Sequence, residues 1–330
     1  MSRLRVSIVI PNYNHASLLP RCLDAVLEQS RPPDEVLVLD DDSTDHSLAV
    51  IEDYARRSNR IRVLRNERNL GVCATINRGL DEVTGDYVGF LAADDRVLPG
   101  IFERTLPLLE RHPGAGAVSG LCEWRCEATG LTWFQGTRMP AEACYLSPGD
   151  MIGLSRQGRL SIAAQHALFK TPALRAAGGW IPELRWFTDC FSTWVVGFRH
   201  GVCHVPEVLS VFHTSPTSYY HSARSGRERR ETLDLFLDLL GGATYADVAP
   251  AIRASGLVGS FGWPALRVAL GRRRHWPFLT PPFLRHALRR TAEVAGRRIL
   301  PPALARLAAR TFYGRRSPSP PPTPTPGSHL

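Results

Sequence analysis

Four apolar runs, at residues 6–10, 35–39, 61–64 and 86–91, are separated by stretches with helical spacing. This alternation constrains the fold more than any other feature of the 330-residue chain. Short runs rich in branched and aromatic residues read as strands buried on both faces. Over residues 16–29, Leu18, Leu19, Cys22, Leu23, Val26 and Leu27 recur at helical intervals. Helices are also expected at 47–57, capped by Ser43, Thr44 or Asp45, and at 72–81. Such alternation predicts an α/β domain: a mostly parallel sheet, right-handed crossovers and helices on both faces.

Two of these strands stop on acids. Asp40, Asp41, Asp42 and Asp45 follow the second, and Asp94 and Asp95 follow the fourth. Open α/β sheets bind ligands at this carboxyl edge. Mg2+ or Mn2+ is held by one or two carboxylates together with substrate phosphates. Asp94 and Asp95 are therefore candidate ligands for a divalent cation on a diphosphate. Taken alone, the pair is better read as a solvated turn or a helix N-cap. A second acidic strand end, from a distant part of the chain, raises the functional reading above that one.

Farther on, the pattern predicts a helix at 101–111 and a strand at 115–124, in a hairpin with 131–134. Residues 141–165 read as loop and short helix. A strand is expected at 165–170, then a helix from Pro172 to the Gly178-Gly179 pair. Residues 186–200 read as a helix with Asp189 in its first turn, and two short strands are expected on either side of Pro206. Charge then divides the chain. Residues 1–223 carry 22 Lys+Arg against 25 Asp+Glu, whereas residues 224–330 carry 18 against 6. The basic segment reads as helices interrupted by Gly and Pro. Its amphipathic stretches, over residues 256–312, suit either an anionic membrane surface or packing against the rest of the protein. Residues 313–330, rich in Pro, Ser and Thr, read as a disordered tail.

Cys122 and Cys126 lack a second matching pair, which argues against zinc. The seven cysteines, an odd number, and the absence of a signal peptide suggest reduced thiols in a cytoplasmic protein. No run reaches the ~18–20 uncharged apolar residues of a spanning helix.

Residues 6–14 (VSIVIPNYN), 35–45 (EVLVLDDDSTD), 69–79 (NLGVCATINRG) and 85–95 (GDYVGFLAADD) together resemble, in order and spacing, the family 2 glycosyltransferases of the GT-A fold. The resemblance covers about residues 4–220, more weakly through Gly178-Gly179-Trp180, Thr188-Asp189 and Ser218-Tyr219. It implies inverting transfer of a sugar from a nucleotide-diphosphate donor. By position, Pro11 and Tyr13 match the loop around the nucleotide base, and Asp41 the carboxylate that binds it. Asn77 and Gly79 match the segment near the diphosphate. Asp94 and Asp95 match the end of the acidic metal motif, and Asp189 the general base. Three positions depart from the family's usual pattern: Asp42 stands where Gly is common, Ala92 where Asp is common, and Ile76 where Arg is common.

Glycosyl transfer builds negative charge on the departing diphosphate, which a divalent cation stabilises. A base must take the acceptor hydroxyl's proton. From the residues alone, Asp189 serves as well as an N-terminal helix charge. Tyr13, Trp180, Trp186 and Tyr219 are candidates for stacking on base or sugar, though each fits a core as well. His213 is a candidate further ligand of metal or phosphate, and a lone His is more often structural. A nicotinamide-dependent oxidoreductase is excluded because no Gly-x-Gly-x-x-Gly follows the first strand.

The expected organisation is a catalytic domain at 1–223, with a nucleotide-binding half at 1–100 and an acceptor half at 101–223. A helical Arg-rich extension follows at 224–312, then the tail. The expected partners are a nucleotide-diphospho-sugar and a glycan, lipid-linked or protein acceptor, with no nucleic acid. The expected location is cytoplasmic, with peripheral contact at the inner face of the membrane. Ala92 keeps open an alternative, a catalytically silent nucleotide-sugar-binding protein of the same fold.

Overall fold

The computed structural model describes residues 3–126, 129–214 and 226–299. The tail at 313–330 and the Ser218-Tyr219 stretch lie outside them. Strands β1 (Val6–Asn12), β2 (Glu35–Asp40), β3 (Ile61–Arg65) and β4 (Tyr87–Phe90) are the four expected ones. They lie parallel in the order β3-β2-β1-β4, joined by helices α1 (Leu19–Leu27), α2 (Ser47–Arg57) and α3 (Val72–Glu82). The sheet continues through β9 (Leu168–Lys170), β6 (Ala117–Cys126), β10 (Val202–Thr214) and β5 (Arg96–Val97). Strand β7 (Thr132–Gln135) pairs with β6, and β8 (Cys144–Leu146) with β10. The long strands β1, β2, β6 and β10 share one direction with β3 and β4; the short strands β5, β7, β8 and β9 run against it.

Both faces are covered because successive side chains of the strands point to opposite sides. Ile8, Ile10, Val36 and Val38 pack with α1, α2 and α4 (Ile101–Arg111). Val9, Leu37 and Leu39 pack on the other face with Cys73, Ile76 and Leu80 of α3. Helix α1 starts three residues later than expected because Pro20 takes its first turn, where a missing N–H costs nothing.

Two strands extend past a proline expected to stop them. Leu91 N donates to Val9 O and Asp41 N to Asn12 O. The missing N–H of Pro11 therefore faces the β4 side, beyond the last ladder pair at Val9 and Phe90. Strand β10 carries Pro206 within an irregularity, where its register with β6 shifts between His204 and Ser210. A bulge absorbs the proline and makes one strand where two were expected.

Helices α5 (Pro148–Arg156), α6 (Thr171–Ala176) and α7 (Thr188–His200) cover one face of the sheet's second half. The extension follows as α8 (Gly226–Gly241), α9 (Ala249–Ser255), α10 (Trp263–Gly271) and α11 (Pro281–Ile299). Its inner side packs directly on α7. Phe236 meets Phe191 edge-on at 5.0 Å, and Phe261 stacks on Trp194 at 5.6 Å. These aromatics join the core beneath the sheet.

Candidate active site

At the carboxyl ends of β1 and β2, short side chains stitch two loops together. Asp40 Oδ1 accepts from Asn12 Nδ2 at 3.0 Å, and its Oδ2 from Ser43 N at 3.0 Å. Asn14 Oδ1 accepts from Thr44 N at 2.8 Å. Asn14 (φ 56°) and Asp42 (φ 61°) both occupy the left-handed region, which Asn and Asp tolerate better than other non-glycine residues. The family's common glycine at position 42 is thus explained by backbone shape, and Asp42 keeps that shape. Tyr13 stands on this loop, 45% exposed.

Asp41 is buried and turned toward the start of α3. Its Oδ1 accepts from Asn66 Nδ2 at 2.7 Å and Leu70 N at 2.8 Å, and its Oδ2 from Gly71 N at 3.0 Å. A carboxylate has about four lone-pair sites, so Oδ2 retains one. Asn77 and Gly79 face the protein. Asn77 grips the backbone of Trp180 from both sides, with Nδ2 to the carbonyl at 2.6 Å and Oδ1 from the N–H at 2.8 Å. Gly79 lies where α3 crosses the sheet, and a Cβ there would stand 2.6 Å from Val9 Cγ1. Trp180 is also a core residue, tilted onto Phe90 at 4.6 Å.

Beyond β4 the chain turns at Ala92, whose carbonyl accepts from Asp95 N at 3.0 Å. The two carboxylates that follow have different surroundings. Asp94 is half-buried. Burial and then Asp95 raise its pKa, while His15 and His213 pull it back down. Asp95 is fully buried, and both its oxygens are engaged. Oδ1 accepts from His213 N at 2.8 Å, and Oδ2 lies 3.2 Å from His166 Nε2. Burial alone would lower the His166 pKa; its hydrogen bonds to Asp95 and Cys122 outweigh that and push it up to about 10. Asp95 thus clasps the end of β4 to β10 and to the turn before β9. His15 escaped the sequence reading because a lone histidine in a loop has no partner at a telling interval.

Asp189 lies in the first turn of α7, half-buried. Burial pushes its carboxyl up to about 6, against the opposing pull of backbone N–H groups. Cys190 N donates to Oδ1 at 2.6 Å. Its charge reaches Cys73 in the first turn of α3, where burial and then Asp189 push the thiol up to about 11. Cys73 belongs to the same start of α3 whose Gly71 N–H binds Asp41. Just upstream, Arg185 is held at φ 51°, ψ −124° and pairs with Glu228 of α8 at 2.6 Å. The extension therefore supports the approach to Asp189.

Among the described residues, three potential metal ligands converge in the extension: Asp234, Asp238 and His275, within 4.8 Å of one another. Arg272 pairs with Asp234 at 2.7 Å and Arg274 with Asp238 at 2.5 Å. These carboxylates are already neutralised, and the cluster is best read as an ion-pair knot holding the 273–278 turn to α8.

Residues 7–151 match the family model described as glycosyl transferase family 2. A Mycobacterium tuberculosis protein described only as uncharacterized is 30% identical over 239 residues, covering 69% of this chain and 72% of the relative. The putative teichuronic acid biosynthesis glycosyltransferase TuaG of Bacillus subtilis is 30% identical over 129 residues, covering 39% of this chain and 51% of its own length. The latter match therefore spans about half of the relative. Two solved structures share the fold. Staphylococcus aureus TarS 1–349 in complex with UDP-GlcNAc superposes with a TM-score of 0.60 at 16% identity, covering 94% of this chain and 87% of that one. The mannosyltransferase PcManGT from Pyrobaculum calidifontis, in complex with GDP-Man and Mn2+, gives 0.52 at 20% identity, covering 96% and 82%. With its four motifs, its sheet order and these likenesses, the chain belongs to glycosyltransferase family 2 and has the GT-A fold.

Proposed function

We propose that this protein transfers a sugar from a nucleotide-diphosphate donor to an acceptor hydroxyl, with inversion at the anomeric carbon. The observation that carries this reading is the contrast between two half-buried carboxylates of the site. Asp94 lies among His15, His213 and a second carboxylate. Asp189 sits in a desolvated niche that raises its pKa to about 6, opposed only in part by backbone N–H groups. One suits a cation and the other suits a base.

The donor set fits a divalent metal. Asp94 is a carboxylate whose ionised form is disfavoured by burial and by Asp95, and a cation there would relieve both effects. Asp94 would hold it, with His213 as a further ligand and the donor's phosphates completing the shell, which suits Mg2+ or Mn2+. When bound, the cation offsets negative charge on the departing diphosphate. Asp95 braces this corner through His166 and His213 rather than offering a free oxygen. Pro11 and Tyr13 border the base site, with the exposed ring of Tyr13 available for stacking. The remaining lone pair of Asp41 would accept from a base N–H. Asn77 and Gly79 act indirectly: Asn77 fixes the loop at Trp180, and Gly79 lets α3 approach the sheet.

Asp189 takes the proton from the acceptor hydroxyl as its oxygen attacks the anomeric carbon. A base with a pKa near 6 is mostly ionised at neutral pH yet basic enough to accept a proton. The acceptor is a glycan, a lipid-linked sugar or a protein, met on the cytoplasmic side. The silent-binding alternative rests on Ala92, which offers no side-chain oxygen. The two readings are separated by incubating the protein with a panel of nucleotide sugars and Mn2+ and measuring nucleoside-diphosphate release. Release that Asp94→Ala abolishes supports the transferase; binding with no release under any donor contradicts it.

A further inference from the structure

Six of the ten large apolar side chains exposed among the described residues lie between Trp263 and Val294. Another three, Tyr13, Leu70 and Val72, lie near the nucleotide end of the active site. The extension therefore carries a second apolar surface of its own. On α10 the buried positions are Ala265, Leu266, Val268 and Ala269, and the exposed stripe is Trp263, Arg267 and Leu270. These three follow at intervals of four and three, which puts them on one helical face. A solvent-facing stripe is ordinarily polar, whereas this one is two-thirds apolar. The next turn continues it. Trp276 is 52% exposed, its indole N–H reaches the Leu270 carbonyl at 3.5 Å, and the Arg273 guanidinium lies 5.8 Å from its ring centroid. Helix α11 abuts the start of α10, where a Cβ on Gly262 would meet Arg290 Cγ at 3.1 Å. It adds exposed Leu284 and Leu288, four residues apart.

Charge narrows the choice of partner. Residues 249–299 hold ten arginines and a single acid, Glu293. Arg267 and Arg273 have no carboxylate partner among the described residues. Tryptophan beside arginine, above an aliphatic stripe, is the composition of a surface that lies in the headgroup region of a bilayer. We propose that the outer face of α10 and the 273–278 turn docks the protein on an anionic phospholipid membrane, while the inner side of the extension packs on α7. No helix among the described residues is long and apolar enough to cross a membrane, so the contact is peripheral. This docking goes beyond the transfer reaction and does not depend on it.

The test is co-sedimentation of the full chain with phosphatidylcholine vesicles, with and without phosphatidylglycerol. The wild type is expected to sediment with the anionic vesicles only, and less so as salt rises. Arg267→Gln and Arg273→Gln should each lower partitioning about fivefold, the factor corresponding to ~1 kcal/mol per cation at an anionic surface. Trp263→Ser combined with Trp276→Ser should lower it at least about tenfold, with a thermal melt showing that the variant is still folded at the assay temperature. A wild type that ignores anionic vesicles, or a double-Trp variant that binds them as well as wild type does, overturns the proposal. So does a concentration-dependent dimer that the double-Trp variant abolishes, since a second copy would then cover the face. Nucleotide-sugar binding, read separately by thermal shift on the same variants, shows whether the catalytic reading stands or fails on its own.

Discussion

Asp189→Asn should make the protein more stable and nearly inactive. Burial raises the Asp189 carboxyl from 3.8 to about 6. At about 1.4 kcal/mol per pH unit, that rise means the fold disfavours the ionised carboxylate by ~3 kcal/mol. Below pH 3.8 the group is protonated in folded and unfolded chains alike, so the favourable contribution of holding the neutral acid is fully present. It is lost as pH rises through about 6, where the folded chain must ionise the group. Asparagine never ionises, and its Oδ1 can still accept the Cys190 N–H. The variant should match wild type near the acid end and exceed it by up to ~3 kcal/mol above pH 7, a gain of about 5 °C in melting temperature for a chain this size. Turnover should fall by about 10²- to 10⁴-fold, the usual contribution of a general base. Wild-type kcat/KM should drop with pH below about 6, where the free enzyme's base is protonated. Thermal melts at acid and neutral pH, with nucleoside-diphosphate release assays, read all three. A variant less stable than wild type at neutral pH, or one that keeps its turnover, refutes the argument.

Two further perturbations probe buried contacts of the sheet. His166→Gln removes the cation that faces the buried Asp95 carboxylate, and breaking such a pair costs about 3–5 kcal/mol. Because the His166 pKa is raised to about 10, the pair's stabilisation is present below pH 6.5 and is lost toward pH 10. Denaturant melts across that range should show wild type losing more stability than the Gln variant, the difference being the pair's contribution above that of the buried thiols both proteins share; parallel curves would show that the pair contributes nothing. Gly79→Ala places a methyl 2.6 Å from Val9 Cγ1. This should cost about 1–3 kcal/mol by overpacking with little change in donor KM. A raised KM at wild-type stability would instead put position 79 in contact with the donor.

Much of the framework was legible because strand and helix periods differ. The bounds of α2 and α4 fall where apolar spacing and turn residues put them, and the acids at the ends of β2 and β4 do share one sheet edge. Residue type could not show which way those acids point. Asp41 and Asp95 read as ligand-binding carboxylates, yet their oxygens are filled largely by partners far along the chain: Asn66, Leu70 and Gly71 for one, His166 and His213 for the other. Asn77 grips Trp180, more than a hundred residues away, and no local pattern encodes that contact. The β10 bulge was missed because Pro206 interrupts alternation just as a chain break would. The extension read equally well as membrane-facing or packed. The packed side is visible in the Phe236 and Phe261 contacts, and the exposed Trp263 stripe lies on its outer face.

We propose that Asp94 anchors a cation on a nucleotide-diphosphate donor. A thermal-shift titration of UDP-, GDP- and dTDP-sugars, with and without Mn2+, on wild type and Asp94→Ala tests it most directly. At a donor concentration about 100 times Kd, bound donor should stabilise wild type by ~2.7 kcal/mol. That rise should require Mn2+ and should be absent from Asp94→Ala. Stabilisation by a donor that is independent of Mn2+, or retained in full by Asp94→Ala, would contradict it.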